Sequence, residues 1–203
     1  MSLISALVGI VSVAVSVAES LTVITTAISI VAHTVISVCK ALGLIENPEI
    51  KTEDLGEKAL VAEEEGLKPE KFKTYEEYVQ IIEKFEIDPL KAEKYTSEQK
   101  MQKGLELTSG LLIDKYGLSA GDVLREVAKR PIFFDTARTL HYLEKTSSND
   151  LNIGDVSKFL DGKLKNVEAL LHAKEQVISI EKIINPEATP RQLQQIIDAQ
   201  KPQ

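Results

Sequence analysis

The first 45 residues are nearly free of charge, although 27% of the 203-residue chain is Asp, Glu, Lys or Arg. Glu19 and Lys40 are the only full charges among them, and His33 lies between the two. A helix on the surface of a soluble protein normally presents a charged face to water. This segment has no such face, so we expect other apolar material to enclose it, and that requirement constrains the fold more than any other feature.

Apolar residues repeat through this segment at a spacing that alternates between four and three without a break. Such spacing keeps one stripe of a helix facing a partner helix and is typical of coiled coils and bundles. The sequence therefore predicts one long apolar helix over residues 1–45, about 65 Å in length. We call this stripe the seam, and its residues are Leu3, Leu7, Ile10, Ala14, Val17, Leu21, Ile24, Ile28, Val31, Val35, Val38, Leu42 and Ile45.

A second stripe in the same register supports a helix over this segment. Its members lie seven residues apart and include every charge and the histidine: Ser5, Ser12, Glu19, Thr26, His33 and Lys40. Residues 11–17 also alternate with period two, which is typical of a strand. Because the heptad covers the whole segment, we favour the helix; a helical hairpin stays open as the alternative to a single rod. Gly43 followed by Asn47-Pro48 predicts the end of the helix.

Three environments would satisfy an apolar rod of this kind. Copies of the chain would bury the seam in a homo-oligomeric bundle, which is the interpretation we favour because lipid does not require a register. Residues 21–39 carry no full charge and are long enough for a membrane span, although Glu19 would then be costly near the hydrocarbon. The third possibility is a core helix of the chain's own soluble domain. A secretory signal peptide is not expected, because no basic residue precedes the run and the run is too long.

The remainder of the chain predicts an irregular acidic multi-helix domain, so the fold class is all-α. Glu19 and Lys40 cancel, and the formal net charge of −7 therefore belongs to residues 46–203. We divide the chain into the apolar helix (1–45), an acidic linker with a short helix starting at Thr52 (46–73), and an all-helical domain (74–203). Helix starts are predicted from the capping patterns that begin at Thr74, Thr96, Ser119 and Thr189.

Other breaks in the helical domain follow from Pro and Gly. Pro131 is expected in the first turn of a helix. A long helix is predicted from Ile153 to Ile184, with Gly162 as a point where it divides into two.

No residue pattern indicates catalysis or a cofactor. Neither a glycine-rich phosphate loop nor a nucleophile elbow is found, and we predict no catalytic, cofactor-binding or metal-binding residue. His141 with Glu144, and Glu168 with His172, are interpreted as exposed helix pairs. Cys39 is expected to be a buried, inert thiol. Arg125, Arg130 and Arg138 near Asp135 are expected to form a small surface ion-pair cluster.

These observations favour a physical role over a reaction. We expect a non-enzymatic, homo-oligomerising structural subunit of a larger assembly. Phage particles and injection machines contain subunits of this general kind, and the comparison is an analogy and not a family match. The alternative is a membrane-inserting pore-forming, holin-like or membrane-anchored protein. Partners would be further copies and other subunits, with a membrane as a possible partner; the acidic charge argues against nucleic acid. The sequence does not define a location; of the alternatives, we favour an assembled particle or a membrane over the free cytoplasm.

Overall fold

The computed structural model describes residues 3–22 and 28–201 of the chain. All regular structure in these residues is helical: eleven α-helices and one 3₁₀ turn, without a strand. The all-α class is therefore confirmed, and residues 11–17 lie in a helix despite their strand-like alternation. The single rod over residues 1–45 is not confirmed, because residues 23–27 lie outside the described part and the residues on either side form two helices.

The helices are numbered in chain order. They are α1 (Leu3–Thr22), α2 (Ile28–Ala41), α3 (Thr52–Glu64), α4 (Tyr75–Lys84), α5 (Pro89–Ala92), α6 (Ser97–Tyr116), α7 (Ala120–Lys129), α8 (Thr136–Ser147), α9 (Ile153–Leu160), α10 (Val167–Ile184) and α11 (Pro190–Asp198), with the 3₁₀ turn (Pro69–Lys71) between α3 and α4.

Helix α6 lies at the centre of the fold. It packs against α1, α2, α3, α4, α7 and α8, and all but one of the residues from Gly104 to Ile113 are buried. Such a helix needs small residues where its neighbours approach most closely, and Gly104, Thr108, Ser109 and Gly110 provide them. The central helix of the core is thus α6, which the sequence alone presents as an ordinary amphipathic helix.

Helices α3 and α6 cross with their backbones in contact. A Cβ atom added to Gly56 of α3 would overlap the carbonyl oxygen of Lys100, and one added to Gly104 of α6 would overlap that of Thr52. The absence of a side chain at both positions permits this approach. Four α3 side chains are fully buried: Leu55, Ala59, Val61 and Ala62. Helix α3 therefore belongs to the core, although its sequence suggested a linker.

Helices α1 and α2 pack onto the same central helix. Helix α1 contacts α6 and α7, and α2 contacts α6 and α8. One hydrophobic cluster includes residues from all three of the segments that the sequence separates, for example Val17, Leu55 and Leu124. The described N-terminal helices are therefore part of the core of their own chain. This is the third of the three environments considered above, a core helix of the chain's own domain.

Three of the four predicted helix caps are confirmed. The hydroxyls of Thr74, Thr96 and Thr189 accept hydrogen bonds from the backbone N–H groups three residues later, at 3.0, 3.2 and 3.4 Å. The helix predicted after Ser119 is present as α7, but the capping box is wrong, because the Ser119 side chain makes no capping bond. Successive backbone hydrogen bonds, such as Ala120 N–H to Gly117 O, close this turn instead.

The predictions for two further helices need correction or refinement. The helix expected from Pro131 begins five residues later, at Thr136, because Asp135 is the N-cap and accepts from Arg138 N–H at 2.8 Å. The helix expected over residues 153–184 is divided into α9 and α10, and Gly162 takes a φ of +68° after α9 ends. That division agrees with the break suggested at Gly162.

Candidate functional site

The described seam residues face the interior of their own chain. Leu7, Ile10, Ala14, Val17, Val31, Val35, Val38 and Ile45 are all buried, and Ile28 and Leu42 are half-buried. The side chains of Leu3 and Leu21, and the whole of Ile24, lie outside the described part. In this conformation the described part of the seam is therefore covered by α6 and its neighbours and is closed to a second copy.

The opposite side of α1 is exposed and carries no charge along most of its length. Ala6, Val8, Ser12 and Ser16 are exposed, and Val8 retains 53% of its accessible surface. The half-buried residues Val11, Val13 and Val15 lie beside them. Glu19 is the first charged side chain along this face. We call the surface formed by Val8, Ser12 and Ser16 the outer face of α1.

The segment that leaves α2 is held to the rest of the chain by a buried carboxylate. Glu83, near the end of α4, is 5% exposed and accepts hydrogen bonds from the backbone N–H groups of Glu46, at 3.2 Å, and Asn47. Lys40 at the end of α2 donates to the carbonyl of Pro48 at 2.6 Å. Gly43 takes a φ of +69° between these two contacts, so a turn there directs the chain from α2 towards α4.

The second stripe lies on the solvent side of the N-terminal helices, as the register requires. Ser12, Glu19 and His33 are exposed and Lys40 is half-buried. The side chain of Ser5 and the whole of Thr26 lie outside the described part. The polar stripe and the buried seam thus occupy opposite sides of α1 and α2.

The three arginines expected in one surface cluster lie in separate places. Arg125 pairs with Asp122 at 2.6 Å near the surface. Arg130 pairs with Glu126 and, across to the end of α9, with Asp161. Burial, which favours the neutral acid, is outweighed by the hydrogen bonds and charges of Lys163 and Arg130, so the pKa of Asp161 is lowered. Arg125 therefore pairs within α7, whereas Arg130 joins α7 to the end of α9.

The third arginine belongs to a buried pair between α8 and α10. Both oxygens of Glu181 accept from the Arg138 guanidinium, at 2.8 and 2.9 Å, and Glu181 has no exposed surface. Arg138 also pairs with Asp135, at 2.7 Å, as the sequence suggested. The hydroxyl of Tyr142 is buried without a hydrogen-bond partner in the described residues. Burial and the charge of Glu181 raise the Tyr142 pKa, so this hydroxyl stays neutral.

These buried carboxylates are the residues that sequence reasoning missed. Glu83, Glu126 and Glu181 all stand in ordinary amphipathic helices, and their burial depends on neighbours that are distant in sequence. Only the four-residue spacing of Glu126 and Arg130 was visible beforehand. Each carboxylate accepts hydrogen bonds from backbone N–H groups or pairs with a cationic side chain. These contacts hold neighbouring segments of the fold in place.

The histidine pairs show no metal-binding arrangement. Nδ1 of His141 lies 3.6 Å from Glu144. His172 and Glu168 line an open groove together with Asp155 and Glu175. No group of three or more metal-ligating side chains occurs among the described residues. Cys39 is fully buried and its thiol donates to Thr108 O at 3.4 Å; burial raises its pKa, which confirms the expected buried thiol.

Comparison with protein-family models, curated proteins and solved structures finds no match to this chain. Among the residues that the structure describes, no helix combines the length and the apolar character needed to cross a membrane.

Proposed function

We propose that this protein is a non-enzymatic, homo-oligomerising structural subunit of a larger assembly, and that its copies associate through their N-terminal helices. Subunits of phage particles and injection machines are the type of protein to which we compare it. The observation that carries the proposal is the outer face of α1, where the exposed side chains of Val8, Ser12 and Ser16 carry no charge after the chain has folded.

The charge distribution supports association at this end of the molecule. The formal net charge of −7 belongs to residues 46–203, so contacts between two copies elsewhere would bring acidic surfaces together. Electrostatic repulsion between two copies is weakest where the surfaces in contact carry no ionised groups. The outer face of α1 meets that condition, and its small residues Ser12 and Ser16 allow helices to approach closely.

Charge also favours a protein partner over a lipid surface. Helices that lie on membranes usually combine an apolar face with Lys and Arg, which are attracted to anionic lipids. The described part of α1 contains no basic residue, and its exposed charge is the carboxylate of Glu19. Membrane association is therefore the second candidate, and the same apolar face is the observation behind it.

The non-enzymatic part of the proposal is supported by the way in which the polar groups are used. Buried charged groups such as Glu181 and Arg138 bond to each other, and the histidines lie at the surface. These contacts stabilise the helical body, which would present a rigid acidic surface to other subunits.

Association should be tested by size-exclusion chromatography with light scattering over a concentration series. We expect the full chain to form a defined oligomer and Val8→Glu to shift it towards the monomer, because the new carboxylate would be buried between copies. Ile132→Glu is the matched control: Ile132 is 90% exposed and lies in a turn far along the chain. A full chain that is monomeric at every concentration would overturn the proposal.

Liposome flotation distinguishes the second candidate. We expect the full chain to remain with the soluble fraction in the presence of vesicles of neutral and of anionic phospholipid. If the protein floats and Val8→Glu abolishes flotation, the outer face of α1 binds lipid, and the membrane candidate replaces the first.

A further inference from the structure

We propose that two exposed surfaces of this protein, distant in sequence, bind each other between copies of the chain. The first is the acidic knob, which consists of Leu90 of α5 and the carboxylates within four residues of it, Glu86, Asp88 and Glu93. The second is the lysine groove between α9, α10 and the end of α11, which is lined by Phe159, Leu164, Leu170, Lys174, Gln194 and Lys201. This contact does not use the outer face of α1, so it goes beyond the proposed function and is tested separately from it.

The acidic charge that opposes contacts between copies is not spread evenly over residues 46–203. Residues 46–99 contain sixteen Asp and Glu against eight Lys, whereas residues 158–203 contain six Asp and Glu against seven Lys and Arg. Two copies that met through the same acidic surface would repel each other. A contact between the acidic segment of one copy and the C-terminal helices of another is electrostatically complementary. Charge therefore favours a contact between unlike surfaces.

Leu90 is the apolar centre of the acidic knob. It retains 77% of its accessible surface, so its own chain leaves it largely uncovered. The turn that presents it is held by Asp88, which accepts hydrogen bonds from the backbone N–H of Leu90 at its side chain and from that of Lys91 at its carbonyl, both at 3.0 Å. Ala92, at the end of the same short helix, is buried. A side chain on such an anchored turn loses less conformational freedom when it binds.

The cations beside Leu90 are already used within the chain. Lys91 pairs with Glu65 at 2.6 Å, and Lys94 pairs with Glu64. Both contacts reach back to the end of α3. The three carboxylates of the knob are exposed and form no ion pair within the described part of the chain. The knob therefore offers one leucine among negative charges that a partner can neutralise.

The lysine groove has an apolar lining and enough space for a leucine side chain. Phe159 is buried, and Leu164 and Leu170 are half-buried. The volume of the groove is about 240 Å³, whereas an apolar cavity of about 150 Å³ already holds a benzene molecule. Insertion of Leu90 would remove apolar surface from water on both copies.

Two lysines make the groove positive. Nζ of Lys201 lies 5.5 Å from the centre of the Phe159 ring and pairs with Asp198 at 2.7 Å. Lys174 attracts the same carboxylate from further away and has no ion pair of its own among the described residues. Two cations thus face one carboxylate. The knob brings an apolar side chain and negative charges together, which is the combination that this groove would bind.

The knob and the groove are different surfaces, and this decides how an assembly would grow. Because Leu90 is exposed, it is not seated in the groove of its own chain. When the knob of one copy occupies the groove of the next, the pair keeps one free knob and one free groove. Such a heterologous contact continues to further copies until a ring closes or a filament forms.

Mixing two variants tests the contact directly. Both carry Val8→Glu, which blocks the outer face of α1. In the first, Leu90→Lys disables the knob and leaves the groove intact; in the second, Lys174→Glu disables the groove and leaves the knob intact. Size-exclusion chromatography with light scattering provides the measurement. At concentrations at which the Val8→Glu chain still assembles, we expect each double variant to be monomeric and their equimolar mixture to form a one-to-one dimer.

Two matched controls make the same charge changes at other positions. Leu118→Lys replaces an exposed leucine between α6 and α7, and Lys182→Glu replaces an exposed lysine further along α10. In the Val8→Glu background, both should assemble as the Val8→Glu chain does. Circular dichroism of every variant checks that the helical fold is retained.

The possible results separate the inference from the proposed function. If the wild-type chain assembles and Val8→Glu makes it monomeric, the proposed function stands and the inference fails. If Val8→Glu has no effect and Leu90→Lys abolishes assembly, the inference stands and the proposed role of the outer face of α1 fails. A wild-type chain that never assembles overturns both.

Three further results would contradict the inference alone. The first is a mixture of the two double variants that stays monomeric. The second is a loss of assembly in the two controls as well. The third is flotation of the full chain with vesicles of anionic phospholipid that Lys174→Glu abolishes, because the lysines of the groove would then bind lipid headgroups.

Discussion

Single buried side chains determine how several helices of this protein are held together. Arg138 and Glu181 join α8 to α10 through two hydrogen bonds, with no exposed surface on Glu181. Arg130 joins α7 to the end of α9 by pairing with both Glu126 and Asp161. Such pairs are costly to bury, but removing one member is costlier, because it leaves an uncompensated charge in the interior.

Replacing Arg138 with Leu should therefore destabilise the protein strongly. Loss of the cation leaves the Glu181 carboxylate buried and unpaired, and we expect the free energy of unfolding to fall by about 3–5 kcal/mol. Urea unfolding followed by circular dichroism measures this. Arg125→Leu is the control: its pair with Asp122 is exposed, and its loss should cost about 0–1 kcal/mol. Similar losses in the two variants would contradict the interpretation.

The lowered pKa of Asp161 predicts a pH dependence of stability. A carboxyl group whose pKa is lower in the folded than in the unfolded chain stabilises the fold above its unfolded value, about 3.9 for Asp. That stabilisation is lost as the pH falls through the lowered pKa in the folded chain. We expect Asp161→Asn to be less stable than wild type at pH 7, and the difference to disappear in strong acid.

Unfolding by urea at a series of pH values checks this prediction. Glu86→Gln serves as the control because Glu86 is exposed and has no ion-pair partner in the described part of the chain. A difference for Asp161→Asn that stays constant across the acid range would argue against ionic stabilisation by Arg130 and Lys163.

The positions of the helices depend on local capping interactions and on contacts between residues that are distant in the chain. Local chemistry places helix starts at Thr74, Thr96 and Thr189, where a hydroxyl bonds to an amide three residues away. The start of α8 shows the limit of that reasoning, since the sequence predicted the first turn at Pro131, whereas the N-cap is Asp135. The crossing of α3 and α6 depends on glycines far apart in sequence, and no local pattern reveals that they meet.

The close crossing predicts opposite effects for two Gly→Ala substitutions in helices. A methyl group at Gly104 would overlap the Thr52 carbonyl, so Gly104→Ala should force α3 and α6 apart and lower stability by about 3 kcal/mol or more. Gly9 of α1 has open space around it. Gly9→Ala should raise stability by up to about 1 kcal/mol, because alanine is the better helix former.

Thermal and urea unfolding of both glycine variants provide the measurement. If Gly104→Ala proves as stable as the wild-type chain, the two helix backbones do not approach as closely as described. A large loss for Gly9→Ala would show that this position in α1 is crowded.

At the scale of the whole molecule, α1 and α2 share one hydrophobic core with the helices of residues 46–203. The hydrophobic cluster described above contains residues of α1, α2, α3 and α6 together. The N-terminal segment thus has two possible partners, α6 in the monomer and other copies in the assembly that we propose. The buried seam residues contact α6, and the uncharged outer face of α1 is available to other copies.

Deleting residues 1–45 should therefore prevent the remaining chain from folding normally. Helix α6 would lose the cover of α1 and α2 and expose side chains that are buried in the full chain. We expect residues 46–203 to retain helix by circular dichroism but to melt without a cooperative transition. Calorimetry of this fragment beside the full chain tests the point, and a sharp, cooperative melt of the fragment would show that the body folds alone.

The sequence by itself determined that the described part of the protein is all-helical, where most helices begin, and that one apolar stripe of the N-terminal segment must be buried. These properties depend on periodicity, caps and charge, which act over a few residues. Only the tertiary structure decided that α6 is the central helix, that α3 belongs to the core, and which partner covers the seam in the monomer. Heptad spacing predicts that one side of a helix is buried, but any apolar surface can bury it. Which surface does so depends on contacts between residues that are distant in the chain.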